Sequence, residues 1–177
     1  FNPLIVHVTG LEQAEGLAEF DDRAQQLAER FWPGPLTMVL PLREGAPVVP
    51  AVTAGLPTIA LRWPAHPLMQ AVLTETGVPL AAPSANRSGS VSPTSADHVL
   101  ASVGDEAPPV LDGGFCERGL ESTIVALRPG GWQLLRPGPI AGSVVAAVLG
   151  DAMAVTPVPI EAPGQLARHY SPGKPLR

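Results

Sequence analysis

Short polar side chains and two arginines stand at the ends of apolar runs, an arrangement that could bind an anion. The loop at residues 83–89 follows one such run and contributes serine hydroxyls, the Asn86 amide and a glycine. Arg62 and Arg136 each end another run, and Ser122 begins a further one. Such loops offer backbone N–H groups to a phosphate, and an arginine supplies a planar cation. Each feature alone fits an ordinary turn or cap, but together they favour a nucleotide- or phosphate-binding cleft.

The sequence contains none of the common catalytic signatures, such as Walker A, G-x-G-x-x-G, H-E-x-x-H or G-x-S-x-G. Its four histidines are too scattered for a metal-ligand pattern, so we expect no protein metal site. The single cysteine, Cys116, excludes an internal disulfide framework and fits a reducing compartment, the cytoplasm.

The composition limits the class of protein. The 177 residues include 22 Pro and 18 Gly, about twice the ordinary share, which argues against long helical bundles. A hydrophobic fraction of 45% argues against disorder. The net charge of −5 argues against a protein that mainly grips nucleic acid, so any tRNA contact would be weak or indirect. No apolar run approaches the roughly 20 residues of a membrane span.

Hydrophobic periodicity predicts a mixture of strands and helices. Strands are predicted at residues 4–8, 36–42, 58–63, 78–82, 109–112, 122–127 and 132–135. Helices are predicted from Leu11 with a Thr9–Glu12 capping box, at 21–31, at 66–76, from Ser92 as N-cap, and at 143–149. This order favours an α/β fold of the α+β type, with a twisted mixed parallel and antiparallel sheet and flanking helices. We expect one domain at residues 1–150 and a Pro-rich interdomain linker at 151–177.

Six short segments lie along the chain at the ends of the predicted elements. They are Asn2-Pro3-Leu4-Ile5-Val6-His7, Phe31-Trp32-Pro33-Gly34-Pro35-Leu36-Thr37, Ala82-Pro83-Ser84-Ala85-Asn86 with Ser88-Gly89, Leu111-Asp112-Gly113-Gly114, Glu121-Ser122-Thr123 and Leu135-Arg136-Pro137-Gly138. In this order they resemble the motifs of the YrdC-like family, the threonylcarbamoyl-AMP synthases. The chain resembles the family over nearly its whole length. Its tail, with His169-Tyr170-Ser171-Pro172, resembles the linker of the longer, two-domain members.

The resemblance implies a nucleotidyltransferase that acts in tRNA processing. Threonine would capture bicarbonate as a carbamate, which would attack the α-phosphate of ATP and release pyrophosphate, leaving L-threonylcarbamoyl-AMP. Mg²⁺ is the default companion of ATP. Partner proteins of tRNA modification would receive the product.

The resemblance also assigns site residues. The implied threonine contacts are His7, Arg62, Ala82 through its backbone, and Ser122. The implied ATP contacts are Asn2, Thr58, Ser84, Asn86, Ser92, Arg136 and Tyr170. No side chain is assigned as a catalytic acid or base, because the reaction mainly requires positioning and charge stabilisation.

The chain departs from the family in one respect. Family members carry a K-x-R motif just ahead of the Asn-Pro-Leu-Ile-Val-His segment, and this sequence begins at Phe1, after that motif. We therefore expect weak or no synthesis from these residues alone, in a chain shortened at both ends. Two alternatives stay open at this stage: a carbamoyl-AMP-handling domain of the hydrogenase-maturation type, and a non-catalytic RNA-binding module.

Overall fold

The structure is a computed structural model, and it describes residues 2–87, 89–153 and 160–163. Tyr170 and most of the predicted linker lie outside these residues. The described chain divides into two compact units. The sheet unit comprises residues 2–82 and 120–163, and the loop unit comprises residues 83–119.

The sheet unit is built on a six-stranded sheet. Its strands are β1 (Ile5–His7), β2 (Leu36–Pro41), β3 (Thr58–Arg62), β4 (Leu80–Ala82), β5 (Thr123–Arg128) and β6 (Gly131–Arg136), in the order β4-β1-β3-β2-β5-β6. The pairs β1–β3 and β2–β5 are parallel, and the other pairs are antiparallel. The predicted mixed sheet of an α/β fold is confirmed.

Helices connect and cover these strands. They are α1 (Leu11–Glu15), α2 (Asp22–Phe31), α3 (Pro50–Thr53), α4 (Pro67–Thr76), α5 (Ala96–Val103) and α6 (Gly142–Leu149), with a 3₁₀ turn at Gly104–Glu106. The start of α2 is fixed by Asp21, whose carboxylate accepts the Ala24 N–H at 3.0 Å. The end of α4 is fixed by Gly77, which adopts the left-handed region at φ 67°.

Helix α1 begins at Leu11 as predicted, but its predicted capping box is wrong, and so is the predicted start of α5. The N-cap of α1 is Gly10 without a side-chain cap, and the Thr9 N–H donates to Gln13 Oε1 at 3.0 Å instead of forming a box with Glu12. The helix predicted from Ser92 begins at Ala96, where Ser95 Oγ accepts a backbone N–H from the first turn. Serines at both positions satisfy the capping pattern, so the sequence does not distinguish them.

The strand predicted at residues 109–112 is also wrong, because this segment has no regular structure and is exposed. Pro109 has no N–H to give to a ladder, which weakens any strand that starts there. The short helix α3 lies in a stretch where the pattern predicts neither a strand nor a helix.

The two faces of the sheet have different character. The first face packs against helices through buried side chains that include Val8, Leu27, Met38, Leu61, Val125 and Val145. The second face carries a smaller apolar cluster, Ile5, Val39, Ala60, Ile124 and Ala126, which Ala162 completes. Because alternate residues of a strand point to opposite faces, the polar residues His7, Thr37, Thr58 and Arg62 lie on this second face.

Candidate functional site

His7 and Arg62 are neighbours on the second face. They are paired in the parallel register of β1 and β3. His7 Nδ1 lies 3.3 Å from the Leu80 carbonyl oxygen, which can only accept, so Nδ1 carries the hydrogen and Nε2 keeps its lone pair. Burial, followed by the charge of Arg62, lowers the pKa of His7, although the Leu80 bond opposes the shift. His7 is therefore a neutral hydrogen-bond acceptor at neutral pH.

Arg62 presents a partly unused guanidinium. Its Nε donates to the Gly34 carbonyl at 3.0 Å. Within the described part of the chain, Nη1 and Nη2 have no hydrogen-bond partner. Burial lowers the pKa of Arg62; Glu121 opposes this shift and Arg136 adds to it, yet a guanidinium stays charged at neutral pH. The free edge of the guanidinium could bind a ligand carboxylate in bidentate fashion.

The turn at Gly34 holds Arg62 in place. The Gly34 N–H donates to the Trp63 carbonyl at 2.8 Å, so the turn between α2 and β2 is tied to the end of β3. A Cβ at Gly34 would lie 2.2 Å from the Phe31 carbonyl oxygen, a distance that real side chains do not adopt. Glycine is therefore required for this approach, which explains why a Pro-Gly-Pro sequence precedes β2.

Ser122 and Arg136 form a buried pair beside these residues. Arg136 is 5% exposed, and it donates from Nε to the Ser122 carbonyl at 3.0 Å and from Nη2 to Ser122 Oγ at 2.9 Å. Its Nη1 donates to the Pro163 carbonyl at 3.4 Å, and Nη2 lies 3.7 Å from Glu121 Oε2. Arg136 therefore spends much of its donor capacity on organising Ser122.

Thr58, at the start of β3, faces a carboxylate that sequence reasoning missed. Its hydroxyl lies 3.5 Å from Glu161 Oε1. Glu161 also forms a bidentate ion pair with Arg128 at the end of β5, and both side chains are largely buried. Glu161 and Pro163 fall in the predicted linker, so this part of the linker is docked on the second face of the sheet.

A second residue missed from the sequence is Thr37 in β2. It is fully buried, and its Oγ1 lies 2.7 Å from Ser122 Oγ. The signal that could have found it is a hydroxyl in an otherwise apolar strand, at a position that alternates onto the face of Arg62.

The remaining predicted residues of the sheet unit, Asn2 and Ala82, lie next to β1 and in β4. Asn2 precedes β1 and is half-buried. Ala82 ends β4, and it pairs with Ile5 in the antiparallel register. Together with His7, Arg62, Ser122, Arg136 and Thr58, these predicted residues all belong to the sheet unit.

The loop unit contains the other predicted ATP residues that are described. Asn86 organises its own loop, because its Nδ2 donates to the Arg87 and Ser90 carbonyls at 3.0 and 2.9 Å. Asn86 Oδ1 is buried and has no partner among the described residues. Ser84 is exposed, and Ser92 lies ahead of α5 rather than at its cap.

The described residues offer no cluster for a metal ion. Over residues 2–87, 89–153 and 160–163, no group of three or more His, Cys, Asp or Glu side chains could hold a metal ion. Over the same residues, no helix has the length and apolarity to cross a membrane. The sheet-unit groups are a neutral acceptor, a guanidinium and a hydroxyl, which suit binding and positioning of a small polar ligand with a carboxylate.

This chain is similar to known proteins. The family model for Sua5, YciO and YrdC proteins, described as "Telomere recombination", matches residues 1–138. The threonylcarbamoyl-AMP synthase of Bacillus subtilis is 41% identical over 187 residues, which cover 99% of this chain and 52% of that protein. The threonylcarbamoyl-AMP synthase of Pyrococcus abyssi is 43% identical over 178 residues, with 97% and 52% covered.

The fold has a close counterpart among solved structures. The crystal structure of P. abyssi Sua5 complexed with L-threonine matches with a TM-score of 0.87 at 42% sequence identity, over 97% of this chain and 52% of that one. The chain thus spans about half the length of the curated relatives it matches.

Proposed function

This chain belongs to the Sua5, YciO and YrdC family, and from that premise we propose that it is an L-threonylcarbamoyladenylate synthase. It condenses L-threonine, bicarbonate and ATP to threonylcarbamoyl-AMP and pyrophosphate. Two relatives more than 40% identical carry the name threonylcarbamoyl-AMP synthase, and a similar structure is complexed with L-threonine. These relatives favour the synthase over a carbamoyl-AMP-handling domain and over an RNA-binding module.

The observation that carries the proposal is the free guanidinium edge of Arg62 beside neutral His7. A carboxylate of L-threonine suits the Arg62 Nη atoms, and an N–H or O–H of the same molecule suits His7 Nε2. Ser122 and the Ala82 backbone supply the remaining polar contacts to threonine. A single amino acid offers all of these complementary groups at once.

The proposed reaction has two bond-forming steps. The threonine amine attacks the carbon of bicarbonate, and an N–C bond forms with loss of water to give a carbamate. A carbamate oxygen then attacks the α-phosphorus of ATP, and the bond to the β-phosphate oxygen breaks. Pyrophosphate leaves with that electron pair. No side-chain nucleophile is needed, because the protein contributes positioning and charge stabilisation.

The proposed ATP contacts are the positions that match the family's ATP-binding residues. They are Asn2, Thr58, Ser84, Asn86, Ser92, Arg136 and Tyr170. The buried Asn86 Oδ1 is an acceptor that an amino or hydroxyl group of a nucleotide could satisfy. Mg²⁺ enters with ATP as part of the substrate, held through phosphate oxygens, so few protein ligands are needed.

The product is passed to tRNA-modification proteins in the cytoplasm. Threonylcarbamoyl-AMP is a mixed anhydride, which transfers its acyl group readily, so a partner must take it up soon after synthesis. With a net charge of −5, the chain itself makes at most a weak or indirect contact with tRNA.

The test is pyrophosphate release by the protein expressed from its full coding sequence. Release should require ATP, bicarbonate and L-threonine together, and the nucleotide product should carry the threonylcarbamoyl group by mass spectrometry. Release without a threonine requirement would favour the carbamoyl-AMP-handling alternative. RNA binding without ATP binding would favour the RNA-binding module, and either result would overturn the proposal.

A further inference from the structure

Thr37 places a buried hydroxyl against Ser122. The Thr37 side chain is fully buried in β2, and its Oγ1 lies 2.7 Å from Ser122 Oγ. Across the residues that the structure describes, Thr37 Oγ1 has no other hydrogen-bond partner. A hydroxyl in such a place needs a reason, because an apolar residue would pack there without a polar group to satisfy.

The direction of the bond between the two hydroxyls follows from which hydrogen a ligand could satisfy. A hydroxyl oxygen has one hydrogen and two lone pairs, and Arg136 can only donate, so Arg136 Nη2 occupies one lone pair of Ser122. Whichever hydroxyl donates to the other, one hydrogen is left without an acceptor among the described residues. Thr37 is fully buried, whereas Ser122 is a proposed threonine contact, so Thr37 donates to Ser122 and the hydrogen of Ser122 is left for the ligand.

We infer that Thr37 is a positioning residue that fixes Ser122 as a hydrogen-bond donor to the ligand. With Arg136 and Thr37 on its two lone pairs, Ser122 Oγ has only its hydrogen left to offer. The ligand atom that it faces must therefore be an acceptor, such as an oxygen of a carboxylate or carbamate. This inference rests on the proposed function, in which that acceptor belongs to threonine or its carbamate.

The test measures threonine affinity by calorimetry and the Michaelis constants for threonine and ATP in the protein expressed from its full coding sequence. Thr37→Val keeps the shape and removes the hydroxyl, and it should raise the threonine Kd and KM about tenfold, since a charge-assisted hydrogen bond is weakened. The KM for ATP should stay within about twofold. Thr37→Ser restores the donor and should recover the threonine affinity.

A double-variant cycle separates positioning from general damage. Because Thr37 acts through Ser122, Thr37→Val should add nothing to the loss caused by Ser122→Ala. Thr53→Val is the matched control. Thr53 is another buried threonine, and its hydroxyl donates to the Pro50 carbonyl of its own helix at 3.5 Å, so the control should bind threonine normally.

The outcomes are distinct. If Thr37→Val does not fold, the pair Thr37→Ser and Thr37→Ala differs only in the hydroxyl and gives the same comparison. Two results would overturn the inference while leaving the proposed function intact. One is equal threonine affinity in Thr37→Ser and in the variant without the hydroxyl, Thr37→Val or Thr37→Ala. The other is an additive loss when Thr37→Val is combined with Ser122→Ala. Failure of the unaltered protein to bind threonine overturns the proposed function itself.

Discussion

Neutral His7 gives the molecule a pH-sensitive group at the candidate site. Its ring lies on β1 with Nδ1 against the Leu80 carbonyl, and Arg62 occupies the paired position of β3. Burial removes solvent from the ring and Arg62 repels a second positive charge, so both lower the pKa of His7. Protonation would also convert Nε2 from an acceptor to a donor, which removes the group proposed to bind threonine.

The stability of the protein should consequently fall in mild acid. Between the ordinary histidine pKa of about 6.5 and the lower folded value, the unfolded chain binds more protons than the folded one. The free energy of unfolding therefore decreases as pH falls below about 6.5, and this contribution levels off below the folded pKa of His7. Chemical denaturation from pH 7.5 to 5 should show the decrease, and His7→Gln should reduce its slope.

His98→Gln is the control for that series. His98 lies on the exposed surface of α5, and its replacement should leave the slope of the unaltered protein in place. Identical slopes for the unaltered protein and His7→Gln would show that the His7 environment differs from the one described.

At the scale of elements, the connection between α2 and β2 links the helix-covered side of the sheet to the site. The Gly34 N–H donates to the Trp63 carbonyl and the Gly34 carbonyl accepts from Arg62, so this one residue joins the turn to the end of β3. Residues 160–163 make a second connection of this kind, at the start of β3. There Glu161 contacts both Thr58 of β3 and Arg128 at the end of β5. The positions of Arg62 and Thr58 in the candidate site thus depend on these two loop segments as well as on the strands.

Gly34→Ala should disturb both stability and ligand binding. The added Cβ meets the Phe31 carbonyl oxygen, so the turn must shift, and overpacking of this kind lowers the free energy of unfolding by about 1–3 kcal/mol. Threonine affinity should fall as well, because Arg62 loses its fixed acceptor. Denaturant unfolding and calorimetry measure the two effects.

Gly142→Ala serves as the control, because its Cβ would meet only Leu134 Cδ2 at an ordinary 3.5 Å. That variant should be as stable as the unaltered protein or slightly more so, since alanine suits a helix. If Gly34→Ala matched it in stability and affinity, the turn would not have the role assigned to it.

The elements also show what the sequence can and cannot predict. The strands β2, β3 and β5 were predicted within about two residues because apolar β-branched runs are local signals. Arg62 and His7 were predicted through family motifs. Thr37 and Glu161 were missed because their roles come from contacts with Ser122 and Arg128, at sequence separations of 85 and 33 residues, which depend on strand order. No local pattern encodes such contacts.

At the scale of the whole sheet unit, the larger apolar core and the proposed threonine contacts lie largely on opposite faces of one sheet. The first face buries large aliphatic side chains against α2 and α6, and Leu27 is completely buried there. The second face has smaller apolar residues and concentrates Arg62, His7 and Ser122. Burial of apolar area dominates folding free energy, whereas oriented polar groups dominate recognition.

This division predicts that the two properties respond separately to substitution. Leu27→Ala should lower the free energy of unfolding by about 2–5 kcal/mol, since it leaves a cavity, while the fraction that stays folded at low temperature binds threonine normally.

Arg62→Lys should change the free energy of unfolding by about 1 kcal/mol or less, yet it should weaken threonine binding at least tenfold. Lysine is a point charge and cannot reproduce the two parallel hydrogen bonds of a guanidinium. Denaturant unfolding and calorimetry on both variants provide the comparison, and affinity losses that follow the stability losses across the pair would contradict it, because the two faces would then act as one cooperative structure.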